Sequence, residues 1–289
     1  MKRVINFLKL KYIAFALSVL LLAVFIAGTV MRGGMNMGID FVGGVKFIVQ
    51  FDAAVSEKEI RESLSGNLQI QQIGGESQNE YIISSKLTAE NDSGGDVKKN
   101  LIEKYPQIKF LSEETVGSTI GDILKTSALK LFIVALIAMA VYLTFRFELK
   151  YAFGVMLSLM HDMILTFFFI GFTGTELNTP VVAALLTLFG YTVNDTIVVF
   201  DRIRENVQDQ NRQTFSEVIN KSISQSMSRT LLTSLTTLFA VTMLYFLGGR
   251  VLNDFAKVLI FGIVVGTYSS IYVASPLIVA WEKFSNRKK

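Results

Sequence analysis

The chain alternates between long apolar runs and short charged stretches, with one extended polar segment near its start. Residues 12–31 carry no charge, and about 20 apolar residues cross a bilayer as a helix. Lys2, Arg3, Lys9 and Lys11 precede this run. It is longer than a signal-peptide core, so it predicts an uncleaved membrane anchor. A second span is predicted between Lys125 and Arg146, with Lys130 near its outer end, where its stem can snorkel. A third covers residues 151–172. Pro180 opens a fourth, as proline does in the first turn of a helix, and it runs to 200. The fifth covers 229–249 and the sixth 258–281.

The polar segment, residues 32–126, separates residues 1–31 from the membrane part, 127–289. Val45, Phe47, Val49 and Phe51 alternate with Lys46, Ile48 and Gln50, which predicts a strand. Ser56 and Glu59 have the spacing of a capping box, so a short helix follows. Strands are expected at 68–73, 81–85 and 108–114, and a helix at 96–105 stopped by Pro106. The order β-α-β-β-α-β is the ferredoxin-like pattern. The expected fold is thus an α-helical polytopic membrane protein of six transmembrane helices with an α+β ferredoxin-like external domain. In the loop 202–228, Phe215, Val218, Ile219 and Ser222 have the spacing of one helix face and predict a surface helix lying at the membrane, with a contact site for a partner as the alternative. Gly262, Gly266, Ser270 and Ala274 recur every four residues, a ladder for close helix packing within the bundle or against a partner.

Composition agrees with a membrane class. The 289 residues are 51% hydrophobic and 18% charged, against about 25% charged in soluble domains. The net charge of +4 does not indicate nucleic-acid binding, because the basic residues flank the apolar runs. Arg146, Lys150, Arg202, Arg204, Arg212, Lys221, Lys283, Arg287, Lys288 and Lys289 fall with the N-terminus on one side of a six-span path. The positive-inside rule makes that side cytoplasmic for both termini. The chain has no cysteine and a single histidine, which excludes disulfides, thiolate metal sites and multi-histidine sites. No nucleophile–base arrangement is visible, so an enzyme is not expected.

Ionisable groups at membrane depth cost roughly 2.5–3.5 kcal/mol at a helix centre and are functional candidates. Asp195 lies in the inner half of the fourth span with Asn194 beside it. Desolvation penalises a charged carboxylate, which suits a group that loads and releases protons; the plainer role is an interhelical bond that only holds the bundle. His161 and Asp162, in the third span, read equally as a relay or as a packing pair. Arg229 opens the fifth span and is followed by Thr230, Thr233, Ser234, Thr236 and Thr237, hydroxyls that line a wet path or bond across helices. The fourth and fifth spans are antiparallel, so Asp195 and Arg229 share a depth and can meet. An ionised Asp195 would hold the guanidinium and a protonated one would release it, a two-state element.

These residues, in this order, resemble the SecF family, membrane subunits of the bacterial Sec protein-export machinery. Gly38-Ile-Asp-Phe-Val-Gly-Gly44, containing Asp40, Phe41, Gly43 and Gly44, looks like the family's external motif. His161-Asp162 is similar to its third-span motif, GYTVNDTIVVFDRIREN at 190–206 to the fourth-span signature, and SRTLLTSLTTL at 228–238 to the fifth. Gly248-Gly249 and SIYVAS at 270–275 are similar to the end of the family pattern.

The resemblance implies half of a resistance-nodulation-division (RND) bundle, paired with SecD in the bacterial cytoplasmic membrane. It implies assistance to Sec-dependent translocation of precursor polypeptides, beside the Sec translocon channel and associated membrane proteins, driven by the proton motive force. It maps the proton-linked pair onto Asp195 and Arg229 and places a second aspartate in SecD. No cofactor is implied beyond the H⁺ gradient, and Na⁺ remains open as the coupling ion. Two other functions stay open: an RND-type transporter half for lipid or small apolar molecules, and a passive membrane scaffold.

Overall fold

The computed structural model describes residues 5–64, 68–73, 79–86, 94–208 and 214–286. The flanking Lys2, Arg3, Arg212, Arg287, Lys288 and Lys289 lie outside the described residues. Two compact units divide the chain: residues 36–131 with 176–179, and the remainder.

The first of these is the α+β unit. Its elements are α2 (Ile39–Val42), β1 (Gly44–Gln50), α3 (Glu57–Ser63), β2 (Leu68–Ile73), β3 (Glu80–Lys86), α4 (Gly94–Lys104) and β4 (Lys109–Val116). The four strands form one antiparallel sheet in the order β2-β3-β1-β4, the ferredoxin-like arrangement. Alternation along β1 buries Val45, Phe47 and Val49, with Phe51 just beyond the strand. They meet Ile60 of α3 and Leu101 of α4, both fully buried. Phe47 packs edge-on to Phe110, with ring centroids 5.6 Å apart. Truncating such a ring costs about 3–5 kcal/mol. The capping box at α3 forms in both directions: Glu59 N–H donates to the Ser56 hydroxyl and Ser56 N–H donates to the Glu59 carboxylate.

The double glycine has a steric cause. Gly43 ends α2 with φ +77°, a left-handed conformation that favours glycine. A Cβ on Gly44 would lie 2.3 Å from the Ser85 carbonyl oxygen of β3. The preceding motif residues dock on the segment before the helix that starts at Thr179. Gly38 N–H donates to Leu177 O and Leu177 N–H to Asn36 O, each at 2.8 Å. The Asp40 carboxylate accepts the N–H of Thr179 at 2.7 Å, so a residue distant in sequence caps a helix start.

The second unit is the helical bundle. Its helices are α1 (Lys11–Met31), α6 (Leu149–Thr173), α7 (Thr179–Gln208), α8 (Phe215–Leu247), α9 (Arg250–Ser269) and α10 (Ser275–Asn286). A long α5 (Ser118–Arg146) contains the division between the units. Among the described residues six helical stretches are long and apolar enough to span a bilayer, with α9, a π turn and α10 forming the last. Aromatic packing joins α1, α6 and α9: Phe169 and Phe261 stack at 3.9 Å, and Phe25 packs edge-on to both.

The small-residue ladder lies against α7, within the bundle. Gly262 faces Leu188, Gly266 faces Thr192, and Ser270 bonds Thr196 at 2.8 Å. The four-residue period of α9 meets the four-residue period of α7 and brings the two backbones close. It is broken by the π turn Ser270–Ala274. Pro276 follows, and its missing N–H leaves no donor for the ordinary helical bond.

The surface helix expected in 202–228 is not separate. α7 continues to Gln208, and Phe215 onward is already α8, started by a capping box between Thr214 and Glu217. Val218 and Ile219 are fully buried. Asn206 donates to the Ser222 hydroxyl at 2.8 Å, and Asn220 accepts the Leu8 N–H at 3.1 Å. The apolar face predicted to touch lipid is used inside the bundle end.

Candidate functional site

Four consecutive residues near the end of α9 each bond a different helix. The Thr267 hydroxyl lies 2.8 Å from the Ser234 hydroxyl of α8. The Tyr268 hydroxyl donates to Ala14 O of α1 at 2.6 Å and lies 3.1 Å from the Ser18 hydroxyl. Ser269 donates to the Asp162 carboxylate of α6 at 2.7 Å. Ser270 meets Thr196 of α7. Successive helical residues are turned by about 100°, so four of them sweep the whole circumference. α9 therefore bonds four other helices at this level, and these polar groups are satisfied by neighbours, as a membrane interior demands.

Two buried carboxylates terminate this hub. Asp195 of α7 is 3% exposed and accepts the Ser234 hydroxyl at 2.9 Å. Asp162 of α6 is 1% exposed, with Ser269 on one oxygen and His161 Nδ1 on the other at 3.0 Å. His161 Nε2 is buried with no hydrogen-bond partner, as are the hydroxyls of Ser158, Thr166 and Thr230. His161 bonds Asp162, and among the described residues only Asp162 of the two also bonds a neighbouring helix, through Ser269 of α9.

Asp195 and Arg229 do not pair. Arg229 is exposed on α8 and makes no ion pair with Asp195 among the described residues. A common depth does not fix the rotation of a helix about its axis, and rotation puts Ser234 against the carboxylate. Asn194 is exposed and also leaves the site: one helical step turns it away from the buried face of α7. Asp40, Phe41, Gly43 and Gly44 belong to the α+β unit, with Phe41 5% exposed. The residues missed from the sequence are Thr267, Tyr268 and Ser269. Their signal was available: with Ser270 they make a run of four hydroxyl side chains within an apolar span.

A ferredoxin-like unit and six apolar helices in one chain, with carboxylates and hydroxyls buried in the bundle, define a polytopic membrane protein. Residues 96–284 match the family described as protein export membrane protein SecD/SecF, C-terminal, and residues 33–55 match the SecD/SecF GG motif. The chain is 39% identical to the protein translocase subunit SecF of Desulfurispirillum indicum, over 96% of this chain and 91% of that one. It is 38% identical to SecDF of Thermus thermophilus, over 93% of this chain and 37% of that longer one. A crystal structure of SecDF from that organism, described as a translocon-associated membrane protein, superimposes with a TM-score of 0.85 at 36% identity. The match covers 98% of this chain and 39% of the SecDF chain. The chain belongs to the SecF family of protein translocase subunits.

Proposed function

We propose that the chain works with SecD as a SecDF-type complex. That complex uses the proton motive force to assist Sec-dependent translocation of precursor polypeptides across the bacterial cytoplasmic membrane. The observation that carries this reading is the bonding of Asp195, a carboxylate buried at membrane depth that accepts the Ser234 hydroxyl, with the Arg229 charge acting on it from beyond ion-pair distance. A buried carboxylate without a fixed counter-charge changes its hydrogen bonding when it gains or loses a proton. One charge moved through 100 mV is worth about 2.3 kcal/mol. That biases two arrangements of the external domain that differ by a few kcal/mol.

Arg229 supports the partnership. A cation on an exposed apolar face, beside Leu231, Leu232 and Leu235, is costly against lipid alone. A SecD carboxylate on this face would supply the counter-charge and complete the proton-linked group. The Thermus thermophilus SecDF, described as translocon-associated, extends the proposal to the Sec translocon channel and associated membrane proteins. Lys9, Lys11, Arg146, Lys150, Arg202, Arg204, Lys221 and Lys283 lie at the ends that six crossings bring to one side, which supports cytoplasmic termini. The reading needs neither enzymatic chemistry nor a cofactor beyond the ion gradient. Na⁺ is the alternative coupling ion.

The test is Asp195→Asn at unchanged protein level. Precursor export in cells and proton uptake by the reconstituted complex are both expected to fall. Survival of both would leave the passive scaffold as the function. Precursor translocation into vesicles, measured beside lipid movement, separates export from a lipid or small-molecule transporter; Na⁺ replacement separates the two ions.

A further inference from the structure

The bonding around Asp195 extends one link further than a single hydrogen bond. Ser234 Oγ lies 2.9 Å from Asp195 Oδ2, and Thr267 Oγ1 lies 2.8 Å from Ser234 Oγ. Thr267 Oγ1 also lies 2.8 Å from the carbonyl oxygen of Ile263, one turn back on α9. The four groups form a chain from α7 through α8 to the backbone of α9.

Each hydroxyl has one hydrogen to give, and the count admits two complete arrangements. With Asp195 ionised, Thr267 donates to Ser234 and Ser234 donates to the carboxylate. With Asp195 protonated, the carboxyl donates to Ser234, Ser234 donates to Thr267, and Thr267 donates to Ile263 O. In neither state is a donor left without an acceptor. The proton stays on Asp195, and only hydroxyl rotations reverse the chain. Ser269 repeats the pattern at the other acid: it bonds Asp162 at 2.7 Å and has Gly266 O as a second acceptor at 3.1 Å.

We propose that Thr267 is a positioning residue for proton exchange at Asp195. Through Ser234, its hydroxyl gives the carboxylate a polarised donor and the carboxyl an acceptor that is itself satisfied. This rests on the proton role proposed for Asp195. An unsatisfied buried polar group costs about 1–3 kcal/mol. Removing the Thr267 hydroxyl therefore slows proton exchange by about tenfold or more, on the scale where about 1.4 kcal/mol is tenfold.

The test uses the complex with SecD, reconstituted in vesicles, with wild type, Thr267→Val, Thr267→Ser and Asp195→Asn compared at equal protein level. Proton uptake under an imposed gradient gives the rate. The infrared carbonyl band that Asp195→Asn removes gives the hydrogen bonding of the acid. Thr267→Val is expected to slow uptake about tenfold and move that band, and Thr267→Ser to restore both. Wild-type uptake and an unmoved band in Thr267→Val would overturn the inference, as would a Thr267→Ser variant as impaired as the valine. If Thr267→Val does not accumulate, Thr267→Ala takes its place under the same criteria. Unchanged uptake in Asp195→Asn would instead overturn the proton role itself.

Discussion

Thr267 and Ser269, two positions apart on α9, reach two different buried carboxylates: Ser269 bonds Asp162 directly, and Thr267 approaches Asp195 through Ser234. The two acids lie on different helices, and one turn of a third helix touches both hydrogen-bond systems. The π turn that starts at Ser270 follows immediately. π turns are frequent at functional sites, and here the irregular backbone adjoins the groups that would change state.

Close packing of α9 on α7 sets one measurable difference. A Cβ on Gly266 would lie 2.4 Å from Thr192 Cγ2 and 2.9 Å from its Cβ, whereas one on Gly262 meets the end of Leu188, 2.2 Å from Cδ1. Leucine can rotate its terminal methyls aside, whereas Thr192 is held in its rotamer by a hydroxyl bond to Leu188 O at 2.9 Å. Gly266→Ala is expected to cost about 1–3 kcal/mol and to lower the thermal midpoint in detergent more than Gly262→Ala does.

The Asp40 bond to Thr179 N–H predicts a graded series. Asp40→Ala leaves a helix start without its acceptor and should cost about 1 kcal/mol. Asp40→Asn keeps an acceptor and loses only the charge, so it should cost less. Thermal unfolding of the intact chain would rank them. Equal losses in both variants would show that charge, not the hydrogen bond, is what matters.

Tyr81 gives the α+β unit a pH dependence. Its ring is 2% exposed and its hydroxyl donates to Val55 O. Burial first, then the charges of Glu57 and Glu59, raise its pKa above the ordinary 10.0. A group whose pKa is raised on folding stabilises fully below its unfolded value, and that stability is lost as pH rises through the folded value. Unfolding measured above pH 10 should therefore show a falling stability that Tyr81→Phe flattens. The substitution should also cost about 1 kcal/mol at neutral pH through the lost hydrogen bond.

The sequence made the apolar spans and the β-α-β-β-α-β order legible, because both are periodic signals in neighbouring residues. It did not mark where helices end in water. Charges at Arg202, Arg204 and Glu205 are compatible with helix, so α7 runs on to Gln208. The Thr214–Glu217 capping box that starts α8 has the same form as the Ser56–Glu59 box that was read from its spacing. The acids were legible as charges in apolar spans, but their partners were not. Depth follows from counting residues, whereas the bonding of Asp195 to Ser234 in place of an ion pair with Arg229 depends on helix rotation, which tertiary packing decides. The hub at Thr267–Ser270 depends on five helices at once, and no local pattern carries that.

The most direct measurement is proton uptake by the complex with SecD in sealed vesicles under an imposed gradient, compared between wild type and Asp195→Asn. The asparagine keeps the size and an acceptor for Ser234 while removing the titratable group. The account predicts that gradient-driven uptake falls to background with the complex still assembled. Uptake at the wild-type rate in the Asp195→Asn complex would contradict it.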